Sequence, residues 1–130
     1  MQLKVFLAAL LFSFTVRAEL PPSAYESMQA KASEYVRIEV LRVDVEPGED
    51  ASQQVVHLVA LVTEVIRTAT ELTTDGIVEI HYTITDHPEG WVGPGELPLL
   101  HDKVTTIAYL NKLESGDYVP AAGRMSFSNF

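Results

Sequence analysis

The sequence predicts an all-β protein, a small five-stranded OB-like barrel with a short helix at its N-terminus. Several segments alternate apolar and polar residues with a period of two, which is typical of strands that bury one face. In the first of them the alternation slips by one residue between Val40 and Leu41, as it does at a β-bulge. Bulged strands let a small sheet curl closed, which favours a barrel. A two-layer β-sandwich is the alternative architecture.

The first 18 residues have the form of a secretory signal peptide. Lys4 supplies a positive charge, residues 5–16 form an uncharged hydrophobic stretch, and Ala18 precedes the expected cleavage site. Residues 19–130 then form one domain with a periplasmic or extracellular location. No later stretch has the length and hydrophobicity of a membrane-spanning helix, so we expect the mature protein to be soluble, with no membrane span.

The helix is expected to begin near Ala24, because Ser23 and Glu26 have the spacing of a capping box and follow two prolines. The first strand follows over residues 35–45 and contains the slip at Val40. Two short strands around a kink are the alternative interpretation of this segment. Residues 47–52 are predicted to form a turn-rich acidic loop.

The second strand is predicted within residues 55–66, a nearly continuous apolar stretch rich in valine. Such a stretch is typical of a central strand that is buried on both faces. A turn at residues 73–76 contains an Asp-Gly pair, which can supply a positive φ angle. The third strand, residues 77–85, alternates cleanly, and its predicted inward side chains are Val78, Ile80, Tyr82 and Ile84.

The last strands are predicted after a long loop. Residues 104–110 form a fourth strand and residues 114–117 a hairpin turn. A fifth strand begins at Tyr118 and is completed by residues 125–127. Pro120 interrupts this strand, and a proline within a strand favours a position at the edge of the sheet.

The composition excludes several classes of function. The chain has 9 Lys+Arg against 18 Asp+Glu, a net charge of -9, and signal cleavage would remove Lys4 and Arg17 to leave -11. This acidity disfavours binding to nucleic acid or anionic membranes and favours basic partners. The absence of cysteine excludes disulfides, thiolate catalysis and thiolate metal sites, and no cofactor is predicted.

Two segments resemble a known superfamily. Residues 59–67, VALVTEVIR, and residues 117–123, DYVPAAG, are similar to the secreted netrin-like and tissue-inhibitor-of-metalloproteinase-like OB barrels. The resemblance covers roughly residues 35–127 and implies the fold alone. Those inhibitors bind the protease zinc through an N-terminal cysteine, which this chain lacks. No functional residue is therefore carried over.

The long loop, residues 86–102, is the strongest candidate contact surface. It contains the only tryptophan of the chain, Trp91. Loops longer than about 12 residues are uncommon in small domains and are often functional. The residues predicted to bind a ligand are Trp91, His87, Leu97 and His101. The alternative is that Trp91 and the loop leucines plug one end of the barrel.

No metal site is predicted. His81, His87 and His101 lie in or beside the loop and are weak candidates as ligands, but they form no compact metal-binding motif. His57 lies within an apolar strand and is better explained as a core or edge histidine with one hydrogen bond than as a metal ligand.

The function expected from these features is that of a non-enzymatic binding module for a protein or small ligand, with residues 86–102 as its contact surface. One alternative is a small secreted hydrolase that uses histidine and acidic groups around the same loop. Another is a structural protein of the cell envelope that assembles through an edge strand at residues 120–127.

Overall fold

The computed structural model describes residues 20–87 and 96–128. The predicted signal peptide and Trp91 lie outside the described residues. No helix in the described part is long and apolar enough to cross a membrane. The elements in chain order are α1 (Pro22–Lys31), β1 (Glu34–Pro47), β2 (Gln53–Thr68), β3 (Ile77–Thr85), β4 (Thr105–Lys112), β5 (Tyr118–Pro120), a 3-10 turn (Gly123–Met125) and β6 (Phe127–Ser128).

The strands close into a five-stranded barrel, which confirms the predicted OB-like all-β fold. Their order is β1-β2-β3-β5-β4, and β4 pairs back onto β1. The contact between β3 and β5 is parallel, with Ile80 opposite Tyr118, and the other pairings are antiparallel. The two-residue β6 pairs antiparallel with β4 at Ile107 and Ala108.

One long, irregular strand, β1, makes the closure possible. Its register against β2 shifts at three places, one of them at the predicted position between Val40 and Arg42. Residues 34–39 pair with β2 on one side and β4 on the other. The N–H of Val40 donates to the Val104 carbonyl, and the carbonyl of Val40 accepts from the N–H of Lys103. After Val40, β1 continues beyond the end of β4. Bulges increase strand bending, which lets β1 belong to both sides of the barrel.

The core lies inside the barrel and is lined by alternate residues of each strand. On β2 the buried residues are Val56, Leu58, Ala60 and Val62, and the residues between them are partly exposed. The prediction that β2 is buried on both faces was therefore wrong. A single barrel has only one interior, and no second layer covers the outer face of β2 in the described part of the chain.

The strand β5 occupies an interior position in the sheet, so the predicted edge position was wrong. It lies between β3 and β4 and is only three residues long. Pro120 is its last residue, where a missing N–H interrupts little of the ladder. Phe127 is also buried, and residues 120–127 therefore offer no long free edge.

The helix α1 packs beside the 3-10 turn, where the Gln29 amide donates to the Met125 carbonyl. It begins at Pro22 and has no side-chain cap, so the predicted capping box was wrong. Ser23 falls inside the first turn because proline is well suited to open a helix. At the other end the Arg67 guanidinium donates to the carbonyls of Gln29 and Ala32, which places a cation where the helix dipole is negative.

A buried carboxylate closes the barrel end at which β1 begins. Glu34 is fully buried, and its Oε1 accepts hydrogen bonds from the hydroxyls of Thr68 and Thr70. Because a hydroxyl has only one proton, the Thr70 hydroxyl must accept from Tyr118 Oη, at 2.8 Å. The Thr68 hydroxyl in turn accepts from the Leu72 N–H. The network ties β1, β2, the segment after β2 and β5 together.

These hydrogen bonds determine the charge state of Glu34. Burial acts to raise the pKa of the Glu34 carboxyl, but hydrogen bonds from Thr68, Ser33 and Thr70 outweigh it and lower the pKa below its ordinary value of 4.5. A carboxyl with a lowered pKa in the folded state stabilises the fold above its unfolded pKa. That contribution is lost as the pH falls through the folded pKa.

We expect Glu34→Gln to destabilise the protein at neutral pH by about 1–3 kcal/mol, because the buried hydrogen bonds from the threonine hydroxyls lose the negative charge that strengthens them. The difference from the parent should shrink as the pH falls below 4.5, where the parent carboxyl becomes protonated. Urea unfolding between neutral and acidic pH measures both effects. Glu46→Gln, on an exposed part of the same strand, is the matched control and should change little. A pH-independent difference for Glu34→Gln would contradict the charge assignment.

Candidate functional site

The second half of the long loop packs onto the barrel end opposite Glu34. Leu100 is buried and Leu97 packs against the core. The Tyr82 hydroxyl, which projects from β3, donates to the Pro98 carbonyl at 2.7 Å. Burial raises the pKa of Tyr82 to about 12, so this hydroxyl keeps its proton throughout the physiological range. Leu97 and Leu100 therefore plug this end, as the alternative interpretation of the loop leucines expected.

The two borders of the segment 88–95 lie next to each other. His87 Nε2 and Glu96 Oε2 are 3.6 Å apart. The other carboxylate oxygen of Glu96 accepts from the backbone N–H of Thr85, the last residue of β3. One carboxylate thus joins the residues on both sides of the segment that contains Trp91. His101 lies on the surface just beyond Leu100.

Two histidines form a stacked pair on the outer face of the barrel. His57 on β2 and His81 on β3 are directly opposite each other, with ring centroids 4.2 Å apart and planes within 10°. His57 Nε2 lies 3.0 Å from Glu79 Oε1, and His81 Nε2 lies 3.2 Å from Asp117 Oδ2. The sequence predicts separate roles for the two, with His57 as a core or edge histidine and His81 as a weak metal candidate. Only the register between β2 and β3 brings them together, and no local pattern reveals it.

The pair borders a shallow recess of about 360 Å³. Its other walls come from the exposed half of β1 and the start of β2, namely Asp44, Val45, Glu46 and Val55. Asp44 is the cross-strand neighbour of His57, so the surface row runs from a carboxylate through two imidazoles. The recess is polar and surrounded by acidic groups.

The predicted weak metal candidates do not form a cluster. Within residues 20–87 and 96–128, no group of three histidine or acidic side chains could hold a metal ion. His81 is engaged with His57 and Asp117, and His87 with Glu96. The nearly parallel rings of His57 and His81 keep their in-plane lone pairs in separate, nearly parallel planes, whereas a shared metal requires lone pairs that converge.

A second recess, of about 380 Å³, lies between α1 and the 3-10 turn. Its walls include Leu20, Met125 and the Tyr25 ring, over which the Arg124 guanidinium carbon lies at 5.2 Å from the centroid. The recess is more apolar than the one beside the histidines.

Comparisons with known proteins give no assignment: no protein-family model, no curated protein and no solved structure matches this chain. The class of protein that the described residues define is a small closed β-barrel with an OB-like strand order.

We expect Tyr82→Phe to destabilise the protein by about 1 kcal/mol, because the Pro98 carbonyl loses its buried donor. The loop should loosen locally, and acrylamide should then quench the fluorescence of Trp91, the only tryptophan, more readily. Tyr118→Phe is the matched control, since it removes a hydroxyl at the Glu34 end. It should lower stability by a similar amount and leave Trp91 quenching unchanged. Equal quenching in both variants would contradict the anchoring of the loop by Tyr82.

We also expect zinc titration to show no binding that depends on the stacked histidines, because their lone pairs do not converge. Calorimetry and thermal unfolding with added zinc measure this, with His57→Ala as the comparison. A thermal shift present in the parent and absent in His57→Ala would show that the rings rotate to bind metal.

Proposed function

We propose that this chain is a non-enzymatic binding module that acts outside the cytoplasm and contacts its ligand through the 86–102 loop. The observation that carries the proposal is the anchoring of this loop on both sides of residues 88–95. Glu96 contacts both Thr85 and His87, and Tyr82 holds the Pro98 carbonyl. A fixed base reduces the conformational entropy lost on binding, which favours affinity.

The ligand-binding residues proposed for this surface are Trp91, His87, Leu97 and His101. Leu97 contributes mainly by packing under the loop, since it contacts the core. His87 shares Glu96 with the backbone, and His101 is exposed. The ligand contact of Trp91 is proposed from the sequence alone, because tryptophan often anchors binding partners. The acidic composition favours a partner with a basic surface.

Export is part of the same proposal. It rests on the signal-like residues 1–18 and the absence of cysteine, which suits the bacterial periplasm as well as the extracellular space. The closed barrel is compatible with the netrin-like and tissue-inhibitor-of-metalloproteinase-like resemblance. Since the cysteine of those inhibitors is absent, the proposed kinship concerns fold and carries no inhibitory role.

A photoreactive residue at position 91 tests the contact surface directly. We expect benzoylphenylalanine in place of Trp91 to form a specific adduct in the cells that produce the protein. The same residue in place of Glu114, in the exposed turn between β4 and β5, is the control and should form none. Mass spectrometry distinguishes a protein partner from a small ligand. Adducts of equal yield at both positions, or none at position 91, would contradict the proposal.

The second candidate function is a small secreted hydrolase, and the His87–Glu96 pair favours it. A carboxylate beside an imidazole can orient it as a general base. Alanine substitutions at His87 and His101 separate the two functions. A hydrolase would lose turnover of ester, peptide or glycoside substrates in His87→Ala, whereas a binding module shows no turnover to lose.

A further inference from the structure

The far half of β1 presents a free strand edge. Residues 34–39 are paired on both sides, but Arg42–Pro47 pair only with β2, and Leu41 is the extra residue of the bulge that precedes them. No strand in the described part of the chain lies along the other edge of this segment. Among residues 20–87 and 96–128, no other strand bonds to its backbone groups on that side.

This edge has little of the protection that edge strands usually carry. Proteins shield such edges with short length, bulges, proline or inward charges, because unpaired backbone groups invite another strand. Here the bulge is at Leu41, the first residue of the free segment, and Pro47 is at its end, which leaves the residues between them open. Leu41 is 47% exposed and Val45 is 42% exposed.

The sequence of the edge is complementary to itself. In two antiparallel copies related by a two-fold axis perpendicular to the sheet, residues directly opposite each other belong to the same face. With the axis at Val43, Arg42 of each copy lies opposite Asp44 of the other, and Leu41 lies opposite Val45. Opposite charges and apolar pairs in directly opposed positions stabilise antiparallel strands.

The neighbouring registers are less favourable. An axis at Arg42 places two guanidinium groups opposite each other, and an axis at Asp44 does the same with two carboxylates. Within one chain Arg42 Nε already lies 3.0 Å from Asp44 Oδ2, so both side chains project from the same face of the strand. In the pair of copies these groups would form a four-membered network of alternating charge.

We propose that a second copy of this chain docks against this edge, with Leu41–Val45 of the two copies paired antiparallel about Val43. The pairing ends at Leu41 because the backbone groups of Val40 are already bonded to Val104 and Lys103. The result is one sheet that continues from barrel to barrel through a two-fold axis. The interface is isologous, so assembly stops at the dimer.

Charge-swap variants test the occupant and the register together. Arg42→Asp places two pairs of like charges opposite each other in its own homodimer, and so does Asp44→Arg. We expect each variant to weaken the homodimer about tenfold or more in sedimentation equilibrium. A mixture of the two variants restores opposite charges at every position and should form a heterodimer. The double variant, with both swaps in one chain, should form a homodimer again.

Arg37→Asp is the matched control, because it makes the same charge change on β1. Its partner Glu64 is on β2, and this part of β1 is paired on both sides. It should dimerise like the parent, and circular dichroism should show that all variants are folded. A parent protein that stays monomeric overturns the proposal. This outcome includes the case in which another segment of the same chain, or a strand from a different protein, covers the edge. Dimerisation unaffected by either single swap also overturns it.

Discussion

The simultaneous pairing of β1 with β2 and β4 is the constraint on which the rest of the structure depends. Only residues 34–39 take part in both ladders, and this short overlap closes the barrel. Three register shifts in β1 supply the bending that a barrel of five strands requires. Because β1 is longer than β4, the far half of β1 has only β2 as a neighbour, and β2 pairs there with β3 on its other side.

The two ends of the barrel are closed by different physical means. At one end a buried carboxylate is held by hydroxyl donors from β2 and the segment that follows it. At the other end the leucines of the long loop are buried and a tyrosine hydroxyl satisfies a loop carbonyl. The first arrangement depends on the charge state of Glu34. The second depends mainly on apolar burial, so acid should affect the two ends unequally.

The sequence predicted the elements that depend on local patterns. Alternation identified β3, the phase slip identified the bend in β1, and turn residues identified the hairpins. The turn at residues 73–76 formed as expected, although Asp75 itself adopts the positive φ angle, at 71°. The exposed outer face of β2 escaped prediction because a valine-rich strand has the same composition whether one face or both are buried. The position of β5 was missed because pairing partners are set by the closed topology.

The candidate site shows the same division between local and non-local information. The loop could be identified from its length and composition. The contact between His87 and Glu96 could not, because the two residues are separated by residues 88–95 and no sequence pattern shows that they meet. The stacking of His57 on His81 requires the register of two strands separated by a turn of eight residues. A shift of one residue would move one histidine to the interior, so the pair reports the register itself.

Strong net acidity does not prevent two copies of this chain from meeting at the β1 edge. Charges on solvent-exposed surfaces are screened beyond about 8–10 Å at physiological ionic strength. The groups that decide the contact are therefore those within a few residues of the axis, where Arg42 balances Asp44. Glu46 lies beyond the paired stretch, beside the recess that contains the histidines. The acidity that favours a basic ligand at large distances is thus compatible with self-pairing at short distances, because different charges govern the two interactions.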